Sequence, residues 1–231
     1  MSAEELASRL DAVVQGSALI RTRLEIRWSN GAKRVLQLQI KQRRAKNASD
    51  LAYRVLWPEE YKDRVVILHQ DAGSAPSGSI ILPHEPARPI EASQMSNGLF
   101  ESDLSYQDAI ENVYGWKKQA IVGSETLNGI ACQILESKPG NSSASTYAKV
   151  RSWIDPRRLV QLRIEKYSSS GKLIRRIDVT RVARDEKDRP IPGNLTVHGP
   201  RKETVTEFNG ARIDQHVTFT DADFTPAGNA H

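Results

Sequence analysis

The sequence is poor in cysteine, in long apolar runs and in histidine motifs. Cys132 is the single cysteine in 231 residues, which excludes an intramolecular disulfide framework and any CxxC metal or redox site. The longest strictly apolar runs are no longer than Val65–Leu68, whereas a membrane helix needs about 20 such residues. The histidines show no HxH, HxxxH or HExxH spacing, so we expect no metal site.

Basic charge is in small excess and is spread along the chain. Lys plus Arg number 33 against 28 Asp plus Glu, which gives a net charge of +5. Because no stripe of aromatic and basic residues accompanies this charge, we expect no nucleic-acid partner. The clusters Lys41–Arg44 and Arg175-Arg176 fit a solvated outer strand face or a guarded sheet edge, with an anionic membrane surface as the alternative partner.

Most of the chain alternates between apolar and polar residues with a period of two. From Ile20 to Trp28 the odd positions are charged and the even positions are apolar or Thr, as in a strand with one dry face. Such strands recur about every 8–12 residues, which predicts an antiparallel barrel or sandwich. Asn128-Gly129 and Asn209-Gly210 are hairpin turn signals, and residues 202–208 and 213–220 are predicted as separate strands around the second of them.

Two segments have helical spacing instead. Residues 2–15 place Leu6, Leu10 and Val13 on one apolar stripe behind an N-terminal Ser2. Residues 105–114 begin with Ser105 and Asp108 at the spacing of a helix capping box. Since no shift of composition marks a boundary, we predict one domain over residues 1–220 and a flexible tail over 221–231.

The second helix lies inside a recognisable motif. Residues 100–108 read FESDLSYQD, which resembles the SDxSYED signature of outer-membrane lipoprotein-sorting-like proteins of the LolA/LolB superfamily. The sequences GIACQILESKP at 129–139 and YAKVRSWID at 147–155 agree with the family in order and spacing. Gln107 replaces the family's usual Glu, but this change should not disturb a cap made by Ser105 and Asp108.

The resemblance implies both a fold and a location. The fold would be mainly β and single-domain, a strongly curved, incomplete antiparallel barrel with helices covering its concave face. Well-studied members of the family shield lipoprotein acyl chains in an apolar cavity between sheet and helices while these cross the periplasm. We therefore expect a periplasmic location and a sequence that begins after a removed signal peptide, because Met1-Ser2 leads straight into a charged amphipathic segment.

The predicted cavity lining is the dry face of the first three strands, although each of these residues would equally suit a packed core. These residues are Leu24, Ile26, Trp28, Leu36, Leu38, Ile40, Tyr53, Val55 and Trp57. The predicted lid is the proline-rich stretch 83–101 together with the second helix, because irregular segments between strands are the mobile ones. Its candidate residues are Leu104, Tyr106, Ile110, Val113 and Tyr114.

Together these features predict a carrier that binds lipid acyl chains or a lipoprotein, without catalysis and without a cofactor. The Ser, Tyr and Asp of SDLSYQD are not expected to be catalytic, because no histidine lies near Ser105 in the sequence to act as its base. The alternative is an envelope sensor that uses the same cavity and docks to an inner-membrane partner such as a lipid exporter. A hydrolase is the third and least favoured hypothesis.

Overall fold

One large antiparallel sheet forms the body of the protein. The computed structural model describes residues 1–140, 145–185 and 188–229. Within them, 13 strands form one sheet in the order β6-β5-β4-β3-β2-β1-β13-β12-β11-β10-β9-β8-β7. The two edge strands, β6 and β7, are not paired with each other, so the described sheet is an incomplete barrel and the predicted fold class is confirmed.

The first strand of the chain lies in the interior of this sheet, and the chain builds the sheet in two meanders. Helix α1 spans Ala3–Val14 and leads into the first meander. That meander consists of β1 (Gly16–Trp28), β2 (Lys33–Arg44), β3 (Ala48–Trp57), β4 (Val65–Asp71), β5 (Ser77–Ile81) and β6 (Arg88–Pro89). Residues 90–117, here called the crossing segment, then run to the opposite edge and include the short helix α2 (Tyr106–Ile110).

The second meander returns to the first strand. Its members are β7 (Lys118–Leu127), β8 (Ile130–Lys138), β9 (Lys149–Asp155), β10 (Val160–Tyr167), β11 (Leu173–Arg184), β12 (Pro190–His198) and β13 (Thr204–Asp214). Strand β13 pairs with β1 in antiparallel register, Leu24 opposite Phe208. None of the described helices is long and apolar enough to cross a membrane.

The alternating sequence pattern gives the sheet an inner and an outer face. The inner face is the one that α1 and the crossing segment cover. In β4, Val66 and Leu68 pack inward beneath α2, whereas Val65 and Ile67 pack on the outer side. The inner face carries most of the apolar core, because α2 covers the β2–β5 half and α1 covers β8 and β9.

Helix α2 is shorter than the predicted span 105–114. Its N-terminus is as predicted: Asp108 N donates to Ser105 Oγ at 3.1 Å and Ser105 N donates to Asp108 Oδ2 at 2.9 Å. The helix ends at Ile110 because Glu111 has extended backbone angles, and a separate 3-10 turn follows over Val113–Gly115.

The prediction of two strands around Asn209-Gly210 is wrong. Residues Thr204–Asp214 form a single strand, and Gly210 has a φ of +68° within it. The register against β1 shifts at this point, between Arg21 and Arg23. A glycine with positive φ in a strand is typical of a β-bulge, which carries the same sequence signature as a hairpin turn.

The C-terminal residues pack on the outer face. Two 3-10 turns, Asp221–Phe224 and Ala227–Asn229, follow β13. Lys41 contacts Asp223 at 2.7 Å, Arg43 contacts Asp221 at 2.8 Å, and the Phe224 ring lies against the outer apolar cluster of β3–β5. The flexible tail over 221–231 stays a prediction, and its residues 230 and 231 lie outside the described part of the chain.

Candidate functional site: the inner-face cavity

A cavity of about 550 Å³ lies between the inner face of the sheet and its helical cover. Helix α1, the C-terminal half of the crossing segment and strands β1–β3 and β10–β13 surround it. One wall is apolar and consists of Leu10, Val13, Val14, Ile20, Ile164, Ile177, Val179, Ile191, Leu195 and Ile213. A volume of this size lies within the usual range for small-molecule sites, which is about 300–1,000 Å³.

Of the predicted lining residues, Tyr53 lies on this cavity. Most of the others are buried in the core, which is the alternative to a cavity lining; they are Leu24, Ile26, Leu36, Leu38, Ile40 and Val55. Trp28 is half-buried beside Arg34. Ligand contact by this group stays a prediction, and the cavity lies further along the sheet, towards β10–β13.

Trp57 points away from the inner face. It is 51% exposed, and it lies opposite Gln37, an exposed outward residue of β2. The register between β2 and β3 shifts between this pair and the next, where Val55 lies opposite Leu38. A bulge of one residue reverses the facing of every side chain beyond it, and periodicity alone does not show where it falls.

The predicted lid residues divide between cavity and core. Leu104, Val113 and Tyr114 line the cavity. Tyr106 and Ile110 belong to the buried cluster beneath α2. Their movement as a lid is not tested by these contacts and stays a prediction.

A buried ionic cluster lies beside the cavity at the start of α2. The Asp108 side chain has no exposed surface, and its carboxylate contacts Lys166 Nζ at 2.7 Å, the Arg175 guanidinium, and Tyr147 Oη at 2.9 Å. Burial alone would raise the pKa of Asp108, but the charges of Lys166 and Arg175 and the hydrogen bonds to the carboxylate lower it to about 2. Asp108 is therefore ionised at any physiological pH.

Glu111 also lines the cavity, just beyond α2. Its Oε1 accepts a hydrogen bond from Gln107 Nε2 at 3.0 Å, while Oε2 is buried and has no hydrogen-bond partner. Burial raises the pKa of Glu111, although the nearby charge of Lys166 and hydrogen bonds from Ser145 and Gln107 oppose this shift. A buried polar atom without a partner costs free energy, and Oε2 of Glu111 carries this cost.

Arg44 lies at the opposite end of α2. Its guanidinium donates to Ala109 O at 3.0 Å and to Ile110 O at 3.1 Å, the carbonyls that the end of the helix leaves free. Burial lowers the pKa of Arg44. Because Arg44 extends from β2 to α2 and lines the cavity, it ties the cover to the sheet on this side.

The sequence contains a signal that these charged residues face inward. The prediction from the alternation of apolar and polar residues did not use it. Lys166 has the same strand parity as the inward-facing Ile164, and Arg175 has the same parity as Ile177. Arg44 likewise has the same parity as Leu38 on β2. A charged residue at an inward-facing position requires a buried partner, so these positions marked the polar side of the interior.

The serine of the motif has a structural role. Ser105 is completely buried, and its Oγ donates to Asp108 Oδ2 at 2.6 Å and accepts from Arg175 Nη1 at 3.1 Å. Asp103, earlier in the same motif, accepts from Thr204 Oγ1 at 2.7 Å and Thr206 Oγ1 at 2.9 Å. The motif thus fixes the crossing segment to the sheet. The described ranges contain no group of three or more potential metal-ligating His, Cys, Asp or Glu residues.

Three solved structures show the same architecture at low sequence identity. A DUF1329 family protein from Desulfovibrio piger is 19% identical, with a TM-score of 0.88 and coverage of 97% of this chain and 96% of that chain. A structure described as an outer membrane lipoprotein-sorting protein domain, from Vibrio parahaemolyticus, is 16% identical, with a TM-score of 0.86 and 96% coverage of both chains.

A LolA superfamily protein from Nitrosomonas europaea is 14% identical, with a TM-score of 0.76 and coverage of 97% of this chain and 98% of that chain. At these identities the likeness shows the fold, and for the fold the resemblance to the LolA/LolB superfamily is confirmed. No curated protein matches the sequence. One family model, with the description "Uncharacterized protein", matches residues 82–228. The match covers more than half of the chain, so the chain belongs to that family.

Proposed function

We propose that the protein is a carrier that shields the acyl chain of a lipid or lipoprotein in its inner-face cavity. The observation that carries this proposal is the cavity itself, with its apolar lining residues on α1, β1 and β10–β13. Burial of an acyl chain gains about 0.8 kcal/mol per CH₂, so an apolar wall of this kind supplies enough binding free energy without covalent chemistry.

The position of the cover outside the sheet supports reversible binding. The cover is not part of the sheet, so it can separate from the inner face without breaking the strand pairing that holds the fold. Binding would consist of separation of the cover, entry of the chain and closure. The proposal assigns no catalytic step to the site, in keeping with the capping role of Ser105.

The proposal also includes a periplasmic location and a donor or acceptor of the lipid at a membrane. It rests here on the likeness to a protein described as an outer membrane lipoprotein-sorting domain and to a LolA superfamily protein. An inner-membrane transporter or an anionic membrane surface would fill these roles. The exposed Arg23 and Arg27 on the outer face of β1 are two basic residues that an anionic surface could contact, and both also contact Glu25.

The test is to isolate the full chain from cells, extract it with organic solvent and measure bound lipid by mass spectrometry. We expect lipid in near-stoichiometric amount. Val179→Trp, which places an indole in the cavity, should reduce the bound lipid several-fold. The matched control is Val122→Trp on the exposed edge strand β7, where the valine is 45% exposed and no reduction is expected. Lipid-free protein, or equal lipid in both variants, would contradict the carrier function.

A further inference from the structure

Strand β7 (Lys118–Leu127) leaves one edge of the sheet open. Within the described residues it pairs with β8 alone, and no further backbone hydrogen bond joins its other side to the chain. Most of its residues are exposed. The unpaired N–H and C=O groups of such an edge are a template for one more strand.

The opposite edge of the sheet is guarded against the same event. Strand β6 consists of Arg88 and Pro89, and a proline has no N–H to donate to a further strand. Directly after it, Ile90 N donates to Gly78 O at 2.9 Å, so the chain turns back onto its own sheet. Strand β7 is therefore the edge of the described sheet that can accept a partner.

The centre of β7 is apolar and its flanks carry opposite charges. Ile121 and Val122 are 38% and 45% exposed and are adjacent, with uncharged neighbours on both sides. Lys118 lies before this centre and Glu125 lies after it. An antiparallel partner with the same sequence would meet each end of β7 with the opposite charge.

Neither of these charges is neutralised within the part of the chain that the structure describes. Lys118 pairs across the strands with Lys138, whose ammonium contacts Glu136 at 2.9 Å, and no described carboxylate lies within ion-pair distance of Lys118. Glu125 Oε2 accepts a hydrogen bond from Trp153 Nε1 at 2.6 Å, and no described cation contacts this carboxylate. Both side chains are thus available for an ion pair outside the chain.

A bulge places the two charges on the same face of the sheet. Lys118 and Glu125 are an odd number of positions apart, so a regular strand would direct them to opposite faces. The register against β8 shifts by one residue between Ile121 and Gly123, and this shift reverses the alternation beyond it. Both charged residues consequently face the outer side, opposite to the inward-facing Leu135 of β8.

We propose that two copies of the chain pair through their β7 strands in antiparallel register, about a twofold axis between Ile121 and Val122. Lys118 of each copy then lies opposite Glu125 of the other, and the exposed Ile121 lies opposite Val122 of the second copy. Faces and hydrogen-bonding directions match along the paired strands because the bulge lies at the axis.

The charges select this register and this occupant. A shift of two residues in either direction keeps the faces matched but places Lys118 opposite Gly123 or Leu127, so that both charges lose their partners. A second copy supplies the complementary pair twice by symmetry. The inference goes beyond the proposed carrier function and does not depend on it, because the described cavity-lining residues lie on other elements than β7.

The first experiment is sedimentation velocity of the full chain from about 5 µM to about 500 µM. We expect a reversible equilibrium between monomer and dimer that depends on concentration, because a single pair of strands is a small interface. A monomer over the whole range, or a species larger than a dimer, would overturn the proposal.

Exchange of the two charges tests the register. Lys118→Glu places carboxylates opposite each other at both symmetry-related positions and should raise the dissociation constant of the dimer about tenfold. The double variant Lys118→Glu/Glu125→Lys restores unlike pairs and should recover the affinity to within about threefold. The control is Lys172→Glu, which makes the same change of charge at an exposed residue between β10 and β11 and should leave the dimer unchanged.

Amide hydrogen exchange locates the interface. Exchange in β7 should slow as the protein concentration rises through the dimer transition, whereas exchange in β6 should not change. A dimer that Lys118→Glu leaves intact, that the double variant does not recover, or that protects a region other than β7 would contradict pairing in this register.

Discussion

The two helices that cover the inner face are held in different ways. Helix α1 is attached mainly by apolar packing of Leu6, Ala7 and Leu10 on the β8–β9 half of the sheet, and one side-chain hydrogen bond, from Asn112 Nδ2 to Asp11 Oδ1, joins it to the crossing segment. Helix α2 is much shorter, yet buried ionic contacts hold its first turn and Arg44 holds its last. The shorter helix of the cover is thus the one that buried ionic contacts hold.

This difference bears on how the cavity opens. Separation of α2 from the sheet would break the ion pairs of Asp108 with Lys166 and Arg175. In a poorly hydrated interior this loss costs several kcal/mol. Separation of α1 would expose apolar side chains to water and break fewer polar contacts. We therefore expect α1 to open at lower free energy than α2, so that α2 serves as the fixed part of the cover.

Loss of the Asp108 carboxylate should have the largest effect. Asp108→Asn leaves the buried cations Lys166 and Arg175 without their anion, and we expect the free energy of unfolding to fall by about 3–5 kcal/mol. Urea unfolding measures this change. The control is Asp221→Asn, whose carboxylate is 92% exposed, for which we expect a change of about 0.5 kcal/mol or less. A loss of under about 1 kcal/mol at Asp108 would show that the cluster does not hold α2.

An apolar truncation in α1 should have the next largest effect and act on the other half of the cover. Leu6 has no exposed surface, so Leu6→Ala should cost about 3 kcal/mol of stability and raise amide hydrogen exchange in α1 before it does so in α2. Val13→Ala, on the same helix but partly exposed at the cavity, is the control and should cost about 1 kcal/mol. Equal exchange in both helices would mean that they open as one unit.

The sequence was sufficient for the fold because most of its determinants are local. The alternation of β1 and β2, the turn at Asn128-Gly129 and the cap at Ser105 each depend on neighbouring residues, and each is present in the structure. The errors arose at bulges. Asn209-Gly210 bends a continuous strand, and the register shift next to Val55 turns Trp57 outward, because in both cases the pairing partner decides what the local sequence leaves open.

The candidate site was less predictable because it joins residues distant in the chain. The contact between Asp108 and Lys166 bridges 58 positions, and nothing in the local pattern around SDLSYQD states which strand will supply its counter-ion. The parity of Lys166 and Arg175 shows only that both side chains face inward. The topology that carries the crossing segment over the inner face decides which carboxylate they contact.

Acid should weaken the attachment of α2 selectively. The pKa of Asp108 is about 2 in the folded protein against an ordinary value of 3.8, so its ionisation contributes stability above pH 3.8 that is lost as the pH falls towards 2. The shift corresponds to roughly 2 kcal/mol at full effect. Amide exchange, corrected for the intrinsic pH dependence, should therefore rise in α2 relative to α1 between pH 4 and pH 2.5. In Asp108→Asn this relative rise should disappear, because no carboxyl remains to titrate at that position; if it persists, another group controls the acid response.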